Sequence, residues 1–160
     1  MNMNKIKIYA ALMMILGLAA CSKSRRVVSE LEGEWKLESY YGTPAVNVEV
    51  PVEVYISFSD GQFELFQKSG GGHFNLYSGT YAYDGETITG TYSDGQDWTS
   101  GYLVSFSEDG GRMTMSQYVN DEEYACVYVR TSIPEKVRRD AEDFGTKSVD
   151  AETAAVQPIL

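Results

Sequence analysis

The chain has 160 residues and a formal net charge of −10, with 13 basic residues against 23 acidic ones. This length supports one ordinary domain with a real hydrophobic core. Because tracking a phosphate backbone requires clustered Lys and Arg, the acidic balance argues against a nucleic-acid-binding protein. The 12 Tyr and 15 Gly against only 4 Pro indicate a globular chain rich in β-strands and tight turns.

The first 20 residues have the pattern of a secretory signal peptide. Lys5 and Lys7 form a basic start, and residues 8–16 are an almost unbroken apolar run. That run is too short to cross a bilayer as a helix, so a cleaved leader is the better interpretation.

The residues Leu18-Ala19-Ala20-Cys21 that end this leader resemble the bacterial lipobox. The resemblance implies that Cys21 carries acyl chains such as palmitate and becomes the first residue of the mature protein. Each buried methylene of such a chain contributes about 0.8 kcal/mol to membrane binding. We therefore expect a membrane-anchored lipoprotein in which residues 21–30 are the lipidated cysteine and its tether.

The tether also bears on where the protein lies in the cell envelope. The leader resembles those of Bacteroidetes lipoproteins, in which an acidic run after the cysteine usually accompanies export to the cell surface. Residues 22–26 are polar and basic instead. We therefore expect a lipid-anchored protein of the outer membrane that faces the periplasm.

Eight segments of alternating apolar and polar residues follow the tether, each bounded by turn residues. Asp60-Gly61 and Asp84-Gly85 are strong hairpin signals. Gly79 and Gly90 lie inside strands, as expected where a sheet bends sharply or another backbone approaches closely. The pattern predicts strands at residues 33–41, 52–59, 63–67, 75–83, 86–92, 102–107, 112–118 and 124–131.

Eight antiparallel strands with short loops can form a sandwich or an up-and-down barrel. Meander connectivity and glycines inside strands favour closure. The predicted fold is therefore all-β, an eight-stranded antiparallel up-and-down barrel over residues 31–132. A barrel of this size holds side chains alone or one small ligand.

Gly33-Glu34-Trp35 begins the first predicted strand, and Arg130 lies at the end of the last one. This arrangement is similar to the G-x-W motif of lipocalins and to the arginine that those proteins place over the tryptophan. With the lipobox, the chain looks like the lipocalin-like lipoproteins common in Bacteroidetes. The resemblance implies that Trp35 and Arg130 are a structural pair closing one end of the barrel, so that any binding site lies at the other end.

A short C-terminal helix is predicted after the barrel, over residues 133–145. Ser132-Ile133-Pro134-Glu135 reads as a capping box with proline in the first turn, and Gly145 is placed to end the helix. Residues 146–160 lack periodicity and are predicted to be disordered. The apolar stripe of this helix consists of Ile133, Val137, Ala141 and Phe144. The stripe could pack on the wall of its own barrel, which we favour, or against a partner helix.

No pattern of a catalytic or metal site is evident. The single histidine, His73, follows Gly70-Gly71-Gly72 in a loop, and no metal-ligand spacing accompanies it. If Cys21 carries lipid, Cys126 is the remaining thiol, and its alternating surroundings predict a small buried hydrophobe. We therefore predict a protein that is not an enzyme and that holds neither a metal nor another cofactor.

Aromatic and sulfur-containing side chains dominate the predicted interior. Rings with polar tips suit a cavity that holds a flat or amphipathic molecule, and they can equally fill an eight-stranded barrel completely. The candidate ligand-binding residues are Tyr77, Tyr81, Tyr83, Tyr92, Tyr102, Phe106, Met113 and Met115.

Two functions from different classes follow from these patterns. The first is a periplasmic, membrane-anchored module that binds a small hydrophobic or amphipathic ligand in the barrel. The alternative is an interaction or inhibitor module of the cell envelope with a filled barrel, in which Trp98 and His73 contact a partner protein. An exposed Trp98 indole favours the partner, and a buried one favours packing.

Overall fold

The computed structural model describes residues 30–41, 52–119 and 121–143. The predicted leader, Cys21, the tether and residues 144–160 lie outside this part of the chain. The elements are β1 (Gly33–Tyr41), β2 (Val52–Ser59), β3 (Gln62–Ser69), β4 (Asn75–Tyr83), β5 (Thr87–Tyr92), β6 (Tyr102–Phe106), β7 (Arg112–Val119), β8 (Glu122–Arg130), α1 (Glu135–Asp140) and β9 (Glu142–Asp143).

The strands β1 to β8 form a closed antiparallel barrel. Each of them pairs with the next along the chain, and β1 pairs with β8. This confirms the predicted up-and-down barrel and excludes the sandwich. The ends of the predicted strands differ from the observed ends by at most two residues, because turn residues mark most of them.

The alternating strand directions give the barrel two distinct ends. The tight turns at Asp60-Gly61, Asp84-Gly85 and residues 107–111 lie at the end where β1 begins, which we call the Trp35 end. The loops of residues 70–74 and 93–101 lie at the opposite end, which we call the loop end.

Strand alternation sends large apolar side chains into the barrel. Paired residues of neighbouring strands share a face, so the interior positions run continuously around the wall. The buried interior residues are Leu31, Trp35, Val54, Ile56, Phe58, Phe63, Leu65, Tyr77, Ile88, Tyr92, Trp98, Tyr102, Val104, Met113, Met115 and Tyr128.

A β-bulge interrupts the alternation of β1. The register with β8 shifts between Leu37 and Ser39, so that Tyr40 pairs with Cys126, which lies on the inner face of β8. Tyr41 is consequently turned outward and is 48% exposed. An extra residue of this kind exchanges the two faces of a strand beyond it.

Trp35 is the central side chain of its end of the barrel. It is fully buried, and its indole Nε1 donates a hydrogen bond of 2.9 Å to the Leu31 carbonyl. Its ring lies 6.1 Å from that of Phe106. The tryptophan therefore joins the segment before β1 to the end of β6.

Arg130 lies over the outer side of this tryptophan. Its guanidinium carbon is 4.1 Å from the centroid of the Trp35 ring. The same group donates hydrogen bonds to the carbonyls of Glu30, Glu32 and Gly110. A cation over an indole contributes about 0.5 to 2 kcal/mol, and these contacts hold the beginning of β1 to the end of β8.

Gly33 makes this arrangement possible. Its φ of 131° lies in a region that side-chain-bearing residues rarely adopt. A Cβ at this position would lie 2.4 Å from a guanidinium nitrogen of Arg130. The glycine of the G-x-W motif is therefore required by the arginine as well as by its own backbone.

The C-terminal helix is shorter than predicted. α1 has six residues, Pro134 precedes it, and no side chain caps it, so the predicted capping box at Ser132 is wrong. The backbone N–H of Ile133 instead donates to the carboxylate of Glu34. This contact holds the segment before the helix against β1 in an extended form.

The chain leaves α1 at Ala141, whose backbone is already extended. The two residues of β9 then pair in parallel with Asn75 and Leu76 at the start of β4. Sheet pairing at the wall thus takes the place of the last predicted helical turns. Phe144 and Gly145, which were expected to complete the helix, lie outside the described residues.

α1 packs on the outer wall of its own barrel. Ile133 and Val137 are buried against Tyr55 and Phe66. Arg138 pairs with Glu34 at 2.8 Å and with Glu64 at 2.7 Å. Because these charged groups are partly exposed, the apolar contact is the larger contribution to docking.

The fold predicts a large stability loss for Trp35→Ala. Removing a fully buried indole together with its hydrogen bond should cost about 3 to 5 kcal/mol, measured by urea unfolding followed by circular dichroism. Tyr118→Ala is the matched control, because Tyr118 is 63% exposed and should change stability by about 0.5 kcal/mol or less. Equal losses in both variants would contradict this placement of Trp35.

Candidate functional site

Four buried tyrosines form the most polar part of the described barrel interior. They belong to four different strands, β4, β5, β6 and β8, and each is at most 6% exposed. We call them the tyrosine cluster: Tyr77, Tyr92, Tyr102 and Tyr128. Their rings are part of the apolar core, while their hydroxyl groups bring hydrogen-bonding capacity into it.

The interior around the tyrosine cluster disfavours negative charge. Burial raises the pKa of all four hydroxyls above its usual value, and the nearby phenols raise the pKa of Tyr92 and Tyr128 further. Burial also raises the pKa of the Cys126 thiol to about 11. All these groups therefore stay protonated at neutral pH and can donate hydrogen bonds.

Polar side chains surround one side of the cluster. Burial raises the pKa of Tyr102, and the neighbouring side chains of Thr99 and Ser100 lower it in part. The Ser100 hydroxyl donates a hydrogen bond to Gln117. The hydroxyl of Tyr128 differs: it is buried without a hydrogen-bond partner among the described residues, and Cys126 lies beside it.

Trp98 is inside the barrel, which favours a packing role over the predicted contact with a partner protein. Its residue is only 5% exposed, and its ring lies 5.1 Å from Phe63 and 6.1 Å from Tyr102. The indole Nε1 is buried and has no hydrogen-bond partner among the described residues. The sequence analysis did not identify Trp98 as a core residue, because polar residues typical of a loop flank it.

The wall between β5 and β6 explains how Trp98 enters the interior. These strands pair at only two positions, Thr87 with Leu103 and Ile88 with Tyr102. Beyond them, the loop of residues 93–101 folds back onto β5, and the backbone N–H of Trp98 donates to the Gly90 carbonyl at 2.9 Å. The loop therefore takes the place of β6 over this part of the wall.

Two glycines inside strands have different roles. A Cβ on Gly90 would lie 2.3 Å from Cε2 of Trp98, so this glycine makes room for the indole. A Cβ on Gly79 would lie 2.1 Å from the Thr91 carbonyl oxygen, which is the close backbone approach predicted for it.

The structure divides the eight candidate ligand-binding residues into two groups. Tyr77, Tyr92 and Tyr102 are in the tyrosine cluster, and Met113 and Met115 are buried in the core. The other three are only partly buried and pack against the core. These three are Tyr81, Tyr83 and Phe106, and all lie at the Trp35 end. The ring of Phe106 contacts Trp35, and the ring of Tyr81 lies 5.0 Å from that of Phe58. Tyr83 is the last residue of β4.

Two interior polar residues were not among the candidates. Tyr128 lies two residues before Arg130 on β8, so its alternation with that arginine would have indicated an inward side chain. Gln67 on β3 is 2% exposed, and its alternation with Phe63 and Leu65 would likewise have indicated an inward side chain.

The outer wall carries the remaining candidate and the exposed apolar residues. His73 is exposed in the loop of residues 70–74. Tyr41, Leu103 and Tyr118 are the exposed large hydrophobic residues of the described chain. A groove of about 610 Å³ on β2 to β5 is lined mainly by small polar side chains such as Ser57, Ser78 and Thr80.

Among residues 30–41, 52–119 and 121–143, no group of three or more His, Cys, Asp or Glu side chains is placed to hold a metal ion. No helix in those ranges has the length and apolar character needed to cross a membrane.

Gly90→Ala should displace Trp98 from the interior, because the new methyl group would overlap the indole. Acrylamide quenching of tryptophan fluorescence should therefore increase, since Trp35 stays buried. Gly71→Ala is the matched control, because a Cβ there has no neighbour within 4 Å. Unchanged quenching in a folded Gly90→Ala variant would contradict the position of Trp98.

The buried phenols and thiol predict a stability that falls at alkaline pH. In the unfolded chain Cys126 and the tyrosines lose protons at about pH 9 to 10, whereas the folded protein retains them. The unfolded state then binds fewer protons, so stability is unaffected by these groups below about pH 9 and falls above it. Urea midpoints between pH 8 and about 11 would test this, and Tyr128→Phe should make the decline shallower. A flat profile would show that these groups are not desolvated.

The comparisons with known proteins agree with this architecture. A family model described as "Lipocalin-like domain" matches residues 31–115. No curated protein sequence is significantly similar to the chain.

Several solved structures resemble the chain at low sequence identity. The fatty-acid-binding protein 1 of Echinococcus granulosus is 12% identical, with a TM-score of 0.38 over 65% of this chain and 99% of that one. A mutant of the fluorescent protein UnaG is 14% identical, with a TM-score of 0.41 over 66% of this chain and 99% of that one. Apocrustacyanin C2 is 14% identical, with a TM-score of 0.41 over 76% of this chain and 71% of that one.

The family match covers more than half of the chain, and it includes Trp35 and strands β1 to β6. Together with the closed barrel of eight strands, it shows that the chain belongs to the family of lipocalin-like domains.

Proposed function

We propose that this protein binds a small hydrophobic or amphipathic molecule inside its barrel, with the polar part of the molecule at the tyrosine cluster. The observation that carries the proposal is the concentration of four buried phenol groups in a mostly apolar interior. A barrel stabilised only by packing would use apolar side chains there, because each buried hydroxyl needs a partner. Membership of the lipocalin-like family supports the same function.

The apolar part of such a molecule suits the surfaces next to the cluster. Phe63, Leu65, Ile88 and Met115 line the interior as buried apolar side chains. Removal of ligand surface from water against such groups contributes about 25 cal/mol per Å². A ligand of modest size would therefore gain most of its binding free energy from apolar contact and its orientation from the phenols.

The short pairing between β5 and β6 supports a route of access. The loop of residues 93–101 covers this part of the wall through a few backbone hydrogen bonds, including that from the Tyr92 N–H to the Gln96 carbonyl. Movement of this loop with Trp98 would open the interior without breaking a long strand pair. Loops with few ladder hydrogen bonds open at lower free-energy cost than paired strands.

The neutral fluorescent probe N-phenyl-1-naphthylamine tests the proposal. It should bind saturably with enhanced emission, and Val104→Phe should weaken binding by about tenfold, because an added ring occupies the interior. Leu103→Phe is the matched control on the same strand, since Leu103 faces outward and is 41% exposed. Circular dichroism would establish that both variants are folded.

Two results would contradict binding inside the barrel. One is the absence of saturable probe binding to the wild-type protein. The other is an equal loss of binding in the Val104 and Leu103 variants, which would place the probe elsewhere.

We also propose that Cys21 anchors the mature protein in the outer membrane, facing the periplasm. The support is the Leu18-Ala19-Ala20-Cys21 motif behind a basic and apolar leader. Lipid attachment there would hold the barrel at the membrane through acyl chains alone. The basic, polar residues 22–26 that follow favour the periplasmic orientation.

Cys21→Ser should move the protein from the membrane fraction to the soluble fraction and abolish labelling by an alkyne analogue of palmitate. Cys126→Ser provides the matched control, because this thiol belongs to the barrel interior and its loss should leave both results unchanged. Retention of Cys21→Ser in the membrane fraction would argue against the anchor.

A further inference from the structure

We infer that the ligand is uncharged and presents a hydrogen-bond acceptor such as an amide or ketone carbonyl, which the Trp98 indole and the Tyr128 hydroxyl bind. This inference rests on the proposed function and narrows its ligand class. It follows from two of the four buried side-chain atoms that lack partners among the described residues, and from the positions of the described cationic side chains.

The two atoms are Nε1 of Trp98 and the hydroxyl oxygen of Tyr128. Both are inaccessible to solvent and have no hydrogen-bond partner among the described residues, as is also true of the Ser69 and Tyr81 hydroxyls. The Cys126 thiol beside Tyr128 is a weaker acceptor than a carbonyl oxygen. An indole N–H can only donate, and a protonated phenol donates readily. Leaving a buried donor unsatisfied costs about 1 to 3 kcal/mol, so an acceptor that reaches these groups recovers that cost.

Both atoms belong to side chains that adjoin the tyrosine cluster. The ring of Trp98 lies 6.1 Å from that of Tyr102. Tyr128 is close enough to Tyr102 and Tyr92 for their charges to influence its pKa. We place the acceptor of the ligand beside Tyr102, which is the residue that both side chains neighbour.

The surrounding charges exclude an anionic acceptor. Arg130 contacts the interior residue Trp35, but its guanidinium lies at the Trp35 end, where three carbonyls and the indole are already its partners. None of the other described cations belongs to the interior. Lys36, Lys68 and Arg112 have partners on the outer wall, and His73 is exposed. The remaining three, Lys136, Arg138 and Arg139, lie on α1.

A carboxylate at the cluster would consequently be buried without a counter-charge. Burial of an unpaired ion costs several kcal/mol even after relaxation. The raised pKa values of the buried phenols and of Cys126 report the same resistance to negative charge. A neutral carbonyl avoids this cost and still accepts both hydrogen bonds.

Competition between decanamide and decanoate tests the inference, because the two molecules share a chain and differ mainly in charge. Each would displace N-phenyl-1-naphthylamine from the purified protein at about pH 8.5, where the acid is ionised. We expect decanamide to bind at least about tenfold more tightly. At about pH 4.5, where much of the acid is neutral, the difference should narrow.

Conservative variants test the two donors. Trp98→Phe and Tyr128→Phe keep an aromatic ring and remove the donor. Each should weaken decanamide about 3- to 10-fold, a larger loss than that of the probe, which has no carbonyl group. Tyr118→Phe removes an exposed hydroxyl and should change neither affinity. Unfolding midpoints would establish that the variants keep the fold.

Each outcome separates this inference from the proposed function. Probe binding with decanoate as tight as decanamide at about pH 8.5 would overturn the neutral ligand and leave a binding barrel. Unchanged decanamide affinity in both donor variants would overturn the roles of Trp98 and Tyr128. Failure of the probe itself to bind would overturn the proposed function together with the inference.

Discussion

The stack of Arg130 on Trp35 is the contact on which the barrel depends. It joins the first strand to the last, 95 residues apart in sequence, and its guanidinium also satisfies carbonyl groups before β1 and in the turn between β6 and β7. The guanidinium also occupies the space that a side chain at position 33 would need, so this position requires Gly33. A barrel has no free sheet edges only if its first and last strands meet, so these contacts secure the closure at the pair of strands with the largest separation in sequence.

Closure at one end determines what the other end can do. The Trp35 end is occupied by aromatic rings in mutual contact and by a cation whose donors are already used. Two buried polar atoms without partners among the described residues, Nε1 of Trp98 and the Tyr128 hydroxyl, belong to neighbours of Tyr102. The Tyr81 hydroxyl at the Trp35 end and Oγ of Ser69 are two more. The tyrosine cluster carries the proposed function because four buried phenols lie together there, with Trp98 beside Tyr102.

Trp98 links the wall of the barrel to its interior. The chain gives up most of the pairing between β5 and β6 and replaces it with a loop that inserts an indole. Gly90 accommodates the ring, and Phe63 and Tyr102 contact its edges. The same residue thus completes the core, supplies one unsatisfied donor and lies on the segment whose movement would admit a ligand.

The sequence by itself determined the class of fold, the number and order of the eight barrel strands and the inward faces of β4, β5 and β7, because period-two alternation and Asp-Gly turns are local signals. Resemblance to lipocalins identified Trp35 and Arg130 as partners. Only the tertiary structure decided that Trp98 is buried, since its flanking residues are those of a solvated loop. It also decided that Tyr128 lacks a partner and that α1 ends at Asp140, where β4 offers a strand to pair with. Such features depend on contacts between segments distant in the chain, and no local pattern of residues encodes them.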